Sequence, residues 1–154
     1  AQNNLGTIYL LGEEVEANYE KAMAEFQKAA NQNEPVAITN LGRMYKLGLG
    51  TEKDSKKAMS YFLKAVDNNE MYGLYELGNM FYNGEGTEKD FDKAVQCYET
   101  SGNLGFFQAQ VNLAYMYETG TGTEKNLEKA VFWYEKAANQ GDKYSIDKLK
   151  ELKK

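Results

Sequence analysis

A 36-residue repeat runs through this sequence and limits what it can fold into. A glycine or alanine follows each of the first four leucines that mark it, and Lys-Ala pairs and aromatic residues keep the same step. The marking leucines recur without an insertion: Leu5, Leu41, Leu77, Leu113 and Leu149. A regular repeat of this length is typical of small units that bury their apolar faces by stacking on one another. We therefore predict an array of stacked units.

Each repeat begins with the pattern of an amphipathic helix. In the second repeat, one apolar stripe has helical spacing, and it consists of Ala37, Leu41, Met44 and Tyr45. Gly48 follows the stripe, and glycine adopts the left-handed conformation of a helix C-terminus at little cost. The equivalent glycines in the other repeats predict the same end to each first helix.

A second helix follows the glycine loop in each repeat. Asp and Asn are preferred N-caps because their side chains accept hydrogen bonds from free backbone N–H groups. The predicted caps are Asn18, Asp54, Asp90 and Asn126. The predicted ends are residues that tolerate left-handed geometry, namely Asn33, Asn69, Gly105 and Gly141. Four such pairs and a shortened last helix predict nine helices and no strand.

The loop between the helices also contains the residue types of a ligand site. In the third repeat it reads NGEGTEKD, from Asn83 to Asp90. A phosphate-binding loop needs a preceding strand and a Lys-Ser/Thr ending, and neither is present. A calcium loop needs oxygen ligands at alternating positions and a closing bidentate glutamate, and the spacing here is different. We therefore interpret the glycines as a turn and Asp90 as a helix cap.

The pattern L-G-x2-Y…G-x-G-x3-D-x2-K-A…aromatic-x-K-A-A resembles the Sel-1-like repeat, a relative of the tetratricopeptide repeat. The resemblance covers 1–154 as one domain, divided into repeats 1–36, 37–72, 73–108 and 109–144 and a capping helix at 145–154. It implies an all-α fold, an α/α solenoid curved into a right-handed superhelix. A cysteine-rich branch of the family has a disulfide in each helix pair, where this chain has alanine or other small residues.

The resemblance also implies a function, because proteins with these repeats serve as adaptors in protein complexes. We expect a non-catalytic interaction scaffold that binds a peptide or protein segment in its concave groove. The alternative is an inhibitor or immunity protein that neutralises a partner enzyme or toxin by binding it. The first reading predicts binding of short peptides, whereas the second requires a folded partner.

Composition narrows the possible partners and cofactors. The net charge of −5 and the pI near 4.9 disfavour nucleic acid, and there is no apolar run long enough for membrane insertion in this segment. With no histidine and one cysteine, the usual zinc ligands are missing, so we expect no metal and no cofactor. Cys97 has no histidine to activate it, so we predict that the protein is not an enzyme. A single cysteine fits a reducing compartment such as the cytoplasm.

First helices line the concave groove in the related tetratricopeptide solenoids. By that analogy, partner contacts are expected at first-helix positions that lie away from or beside the apolar stripe. These positions vary between repeats and combine aromatic with hydrogen-bonding groups, as contact surfaces do. The predicted groove residues are Asn40, Arg43, Tyr75, Asn79, Tyr82, Asn112 and Tyr115. The fourth position of the repeat holds Asn4, Asn40 and Asn112, with Glu76 in the third repeat, and these asparagines are expected either to hold the backbone of a peptide or to bond to the neighbouring repeat.

The third repeat departs from the pattern at its end. Thr100, Ser101 and Gly102 replace Lys-Ala-Ala/Val, which predicts a weaker end to that helix. Phe106 and Phe107 follow, and two adjacent side chains cannot both face one helix core. They either fill space left by the small residues or form a possible secondary patch that binds a partner.

Overall fold

The computed structural model describes residues 18–154, which form eight helices and no strand. The helices are α1 (Tyr19–Ala30), α2 (Pro35–Leu47), α3 (Ser55–Val66), α4 (Met71–Asn83), α5 (Phe91–Asn103), α6 (Phe107–Thr119), α7 (Leu127–Ala138) and α8 (Lys143–Leu152). The all-α prediction is confirmed for this part of the chain. The first helix predicted for the first repeat, with Leu5, lies outside the described residues.

The second helix of each repeat begins at the predicted cap. In all four repeats the Oδ1 atom of the cap accepts a hydrogen bond of 3.0 Å from the backbone N–H three residues later. The four caps are Asn18, Asp54, Asp90 and Asn126. Each bond satisfies one of the N–H groups that the first turn of a helix leaves unpaired. The prediction from the Asp/Asn pattern is confirmed.

The predicted helix ends also have the expected backbone. Gly48 and Gly120 end first helices with φ of 69° and 73°, and Gly105 follows a second helix with φ of 101°. Asn33 and Asn69 have φ of 59° and 51° at the equivalent place. Asparagine is one of the few residues with a side chain that enters the left-handed region readily, which explains its alternation with glycine.

Two compact units divide the chain, Ala1–Gly73 and Leu74–Lys154. In the first unit, α2 packs against α1 and α3, and in the second α6 packs against α5 and α7. The Leu-Gly pair of the repeat has a packing role, because a Cβ atom at Gly42 would lie 2.6 Å from Phe62 and one at Gly78 would lie 2.7 Å from Tyr98. Glycine therefore lets the aromatic residue of the second helix lie against the backbone of the first.

The helix end at Thr100–Gly102, predicted to be weak, is helical in the structure. Helix α5 continues to Asn103, and Gly102 is buried. Its carbonyl oxygen accepts a hydrogen bond of 2.8 Å from Nε2 of Gln110, and a Cβ atom there would lie 3.1 Å from Trp133. The small residue makes room for side chains of the next two helices, and this packing outweighs its low helix propensity.

The last helix closes the second unit. Asp142 caps α8 by accepting a hydrogen bond from the N–H of Ser145, so the helix begins before the predicted start of the cap at 145. Leu149 and Leu152 pack against the core, whereas Ile146 is exposed. None of the described helices has the length and apolar content needed to cross a membrane.

Candidate functional site

The predicted groove residues fall in both compact units. Asn40 and Arg43 lie on α2 of the first unit, and each is partly exposed. The other five lie in the second unit, on α4 and α6, and they are Tyr75, Asn79, Tyr82, Asn112 and Tyr115. Each unit therefore presents its own part of the predicted surface.

Four of these five residues line one cavity of about 240 Å³ in the second unit. The full lining is Asn79, Tyr82, Asn83, Tyr98, Asn112 and Tyr115, and we call it the Asn79 cavity. Helices α4 and α6 supply five of the residues, and Tyr98 reaches the cavity from α5. Tyr115 is 43% exposed at the edge, so the cavity is accessible to a partner.

A hydrogen-bonded group lies in the wall of the Asn79 cavity. The Tyr98 hydroxyl donates to Oδ1 of Asn79 at 2.6 Å, and Nδ2 of Asn112 donates to the same oxygen at 3.4 Å. Within residues 18–154, Nδ2 of Asn79 and Oδ1 of Asn112 have no hydrogen-bond partner. Asn112 of the fourth repeat thus bonds to the third repeat, as one of the two expectations had it, and the two asparagines still offer a donor and an acceptor.

The Asn79 cavity is electrically neutral. Burial raises the pKa of Tyr98, and the neighbouring Tyr75 and Tyr82 raise it further. The hydroxyl therefore stays protonated at physiological pH. The remaining lining residues are asparagines and tyrosines, none of which carries a charge at that pH.

Tyr75 does not line the cavity. Its ring packs edge-on against Phe106, with ring centroids 5.0 Å apart, and belongs to the core of the second unit. Phe106 is 6% exposed, so it fills the core and is not a surface for a partner. The space-filling alternative therefore holds for Phe106. Phe107 is partly exposed at the start of α6.

The sequence did not identify Tyr98 as a site residue, because Tyr98 lies at a position that is aromatic in every repeat. Repeats one and two have Phe26 and Phe62 there, whereas repeats three and four have Tyr98 and Tyr134. The Tyr134 hydroxyl likewise reaches a first helix and donates to Oε2 of Glu118 at 2.6 Å. The change from phenylalanine to tyrosine was the available signal, since a buried hydroxyl needs a partner.

Glu118 also forms an ion pair at the end of the second unit. Lys148 Nζ on α8 lies 2.9 Å from Oε1 of Glu118. Burial of the carboxylate opposes its ionisation, but hydrogen bonds from Tyr134 and Lys148 outweigh that effect and hold the pKa of Glu118 below its usual value. The ion pair and the hydrogen bond from Tyr134 together join α6, α7 and α8.

A larger cavity, of about 450 Å³, lies in the first unit along the second helices α1 and α3. Several of its polar groups interact with one another. The Tyr61 hydroxyl donates to Gln27 at 3.4 Å, Gln27 donates to Asn31 at 3.0 Å, and the Lys64 ammonium lies 5.4 Å from the Tyr61 ring centroid. None of the predicted groove residues lines this cavity.

The thiol of Cys97 is the candidate nucleophile, and the thiol and the acidic residues are the candidate metal ligands. Burial raises the pKa of Cys97 to about 11, so the thiol remains protonated and weakly nucleophilic. In the part of the chain that the structure describes, no three Cys, Asp or Glu residues cluster as a metal site would require.

Comparison with known families accounts for the repeat. The profile of the Sel1 repeat matches residues 1–34, 35–70, 72–106 and 107–142. The chain belongs to the Sel1 repeat family. The second and fourth matches begin two residues before the repeats assigned from the leucine spacing. The third match begins one residue before its repeat, and the first begins at the same residue. Sel1 repeat proteins generally mediate protein–protein interaction, and their fold is typically a non-catalytic scaffold.

Solved structures of Sel1 repeat proteins resemble the chain over nearly its full length. A Sel1 repeat protein from Oxalobacter formigenes is 32% identical with a TM-score of 0.89, and the match covers 96% of this chain and 60% of that one. The protective antigen c5321 of uropathogenic Escherichia coli, which displays an SLR fold, is 27% identical with a TM-score of 0.88, covering 96% of this chain and 32% of that one. This Sel1 repeat chain thus spans about three fifths and one third of those proteins.

A more distant structure shares the fold alone. The immunity protein Pa5087 from Pseudomonas aeruginosa is 20% identical with a TM-score of 0.51, and the match covers 94% of this chain and 66% of that one. No curated protein sequence matches the chain significantly.

Proposed function

We propose that this Sel1 repeat chain is a non-catalytic scaffold that binds an extended peptide segment of a partner protein along its first helices. The observation that carries the proposal is the Asn79 cavity, where four predicted groove residues meet at one accessible place. Tyrosine is enriched at the energetically dominant positions of protein interfaces, because it buries a large ring and keeps a polar hydroxyl. Asn40 and Arg43 on α2 are proposed as a partner contact of the first unit by itself.

Other classes of activity have less support in this chain. The thiol of Cys97 is protonated and has no histidine beside it, so covalent catalysis lacks its usual activation. A net charge of −5 is unfavourable for binding nucleic acid, which rewards basic surfaces. The exposed tyrosine and amide side chains are suited to binding a protein or peptide partner.

Peptide selection tests the proposal. The full chain would be used to select from a random 12-residue peptide library, and the selected peptides would be measured against a Tyr82→Ala/Tyr115→Ala variant by fluorescence anisotropy. Loss of two interface tyrosines is expected to weaken binding at least about 30-fold, since each contributes roughly 1–2 kcal/mol. Phe132→Ala is the matched control, because Phe132 is 51% exposed on the second helix α7.

Two outcomes would contradict the proposal. Peptides that bind the double variant as well as the parent chain would place the site elsewhere, and loss of binding in a Phe107→Ala variant would point to the start of α6. Failure to select any peptide, together with a stable complex with a folded enzyme, would favour the inhibitor alternative, for which an interface above roughly 1,200 Å² is expected.

A further inference from the structure

The Asn79 cavity is selective by charge. Its lining contains three asparagines and three tyrosines and no ionised group. A charged side chain that entered it would lose hydration without gaining an opposite charge, which is strongly unfavourable. An uncharged side chain would lose little hydration free energy and would gain contact with the rings of Tyr82 and Tyr115.

The size of the cavity limits its occupant. Pockets for small molecules and cofactors usually measure about 300–1,000 Å³. At about 240 Å³ the Asn79 cavity is below that range and is partly open. Its volume suits one large side chain of a longer ligand.

The asparagine pair suits the main chain beside that side chain. The NH₂ group of Asn79 and the carbonyl oxygen of Asn112 have no partner among residues 18–154, since the Tyr98 hydroxyl and the Asn112 NH₂ group both donate to Oδ1 of Asn79. If both side-chain amides were rotated by 180°, the oxygen of Asn79 and the NH₂ group of Asn112 would be left without a partner instead. The Tyr98 hydroxyl would then accept a hydrogen bond from Asn79, because a hydroxyl both donates and accepts. Either arrangement offers one donor and one acceptor side by side. A peptide group needs this combination, because it has one C=O and one N–H.

Resting on the proposed function, we propose that the Asn79 cavity takes one large uncharged side chain, aromatic or aliphatic, of an extended peptide, while Asn79 and Asn112 bond to the peptide group next to it. The cavity is then a specificity pocket that reads a neutral anchor residue and rejects acidic and basic ones.

Capped amino acids test the pocket directly, because each has one side chain and flanking peptide groups. The probes are N-acetyl-phenylalaninamide, N-acetyl-leucinamide, N-acetyl-lysinamide and N-acetyl-glutamic acid α-amide, titrated into the ¹⁵N-labelled full chain. We expect the first two to shift the side-chain NH₂ signals of Asn79 and Asn112 with millimolar affinity, as for fragments of this size. The two charged probes are expected to bind about ten-fold more weakly or not at all.

An isosteric variant tests the role of charge. Asn79→Asp keeps the oxygen that accepts from Tyr98 and Asn112 but replaces the NH₂ group by a second oxygen with a negative charge. We expect it to bind N-acetyl-phenylalaninamide about ten-fold more weakly and N-acetyl-lysinamide more tightly than the parent chain does. Asn103→Asp is the control, because it makes the same change at an exposed site at the end of α5. Melting temperatures of both variants verify that they fold.

The inference is overturned if the charged probes bind as tightly as the neutral ones, or if the neutral probes leave Asn79 and Asn112 unshifted. Failure of this inference can be distinguished experimentally from failure of the proposed function. If the probes fail in either way but the selected peptides still depend on Tyr82 and Tyr115, the neutral pocket is refuted and the peptide-binding function is kept. Peptides that bind independently of those tyrosines would refute both.

Discussion

At the residue scale, Gly122 shows how tightly the loops between helices are built. Its φ is +69°, and a Cβ atom there would overlap the Cβ of Phe91 and lie 3.0 Å from the Phe91 carbonyl oxygen. Both the backbone conformation and the close approach require glycine. The first repeat has Glu14 at the equivalent position, which lies outside the described residues.

We expect Gly122→Ala to lower the free energy of unfolding by about 1–3 kcal/mol, because alanine would be strained in the left-handed region and would press on the backbone of Phe91. For a chain of this size that corresponds to a fall in melting temperature of about 2–10 °C, measurable by circular dichroism. Gly105→Asn is the control. Nothing lies within 4 Å of a Cβ atom at Gly105, and asparagine occupies its equivalents Asn33 and Asn69. Equal losses in the two variants would contradict the close-approach argument.

Single residues also show where sequence reasoning reached its limit. Asn79, Tyr82, Asn112 and Tyr115 were predicted because first-helix positions away from the apolar stripe face outward. Tyr75 satisfied the same rule but packs on Phe106, because its ring is long enough to reach the core of the second unit. Helical periodicity gives the direction of a Cβ atom and not where a long side chain ends.

At the element scale, the Glu118–Lys148 ion pair and the Tyr134 hydroxyl join three helices of the second unit. Lys148 comes from α8, and Tyr134 on α7 donates to the same carboxylate on α6. The side chains of Glu118 and Lys148 are only 17% and 21% exposed, so water screens the pair less than a surface ion pair. The last helix is therefore held by this bond as well as by Leu149 and Leu152.

We expect Glu118→Gln to lower the free energy of unfolding by roughly 1–2 kcal/mol at neutral pH, since it weakens two charge-assisted hydrogen bonds. The pKa of Glu118 is depressed in the folded chain, so its stabilisation is present above the unfolded pKa of about 4.3 and is lost as the pH falls through the folded pKa. Urea unfolding at several pH values should therefore show parent and variant converging at acid pH.

A matched substitution separates this effect from loss of charge alone. Glu124→Gln changes the net charge equally, and Glu124 is exposed in the loop before α7. It should leave the stability nearly unchanged, because exposed groups contribute little. A deficit in Glu118→Gln that is as large at pH 3 as at pH 7 would refute the role assigned to the ionised carboxylate.

The helices themselves were largely predictable because their ends have local causes. Asp90 caps α5 through a hydrogen bond within three residues, and Gly84 has the positive φ expected of a glycine that ends a helix. Such interactions need no knowledge of the tertiary fold. The reason for Gly102 at the end of α5 was not predictable in this way, because it lies in Gln110 and Trp133, which come from two later helices.

At the scale of the whole molecule, the repeat distributes the core over two compact units. Each unit has its own buried aromatic residues, Phe26 in the first and Tyr98 and Tyr134 in the second. The helical spacing of the apolar stripe and the Asp/Asn caps predicted the helices, and the resemblance to the Sel-1-like repeat implied the all-α solenoid. Neither was sufficient to locate the cavity, because its lining includes residues that differ between repeats, such as Asn79 and Tyr82 of the third repeat and Tyr115 of the fourth.

The whole fold should be independent of metal ions. Asp54 and Asp90, the acidic residues that end their glycine loops, accept hydrogen bonds from backbone N–H groups as helix caps, and histidine is missing from the sequence. Dialysis against EDTA is therefore expected to leave the helical circular dichroism spectrum and the melting temperature unchanged, with EDTA preloaded with calcium as the control for ionic strength. A structural metal at 100 times its Kd would contribute about 2.7 kcal/mol, so its removal would lower the melting temperature by about 5–10 °C. A fall of that size, reversed by adding calcium or magnesium, would show that the glycine loops bind a cation.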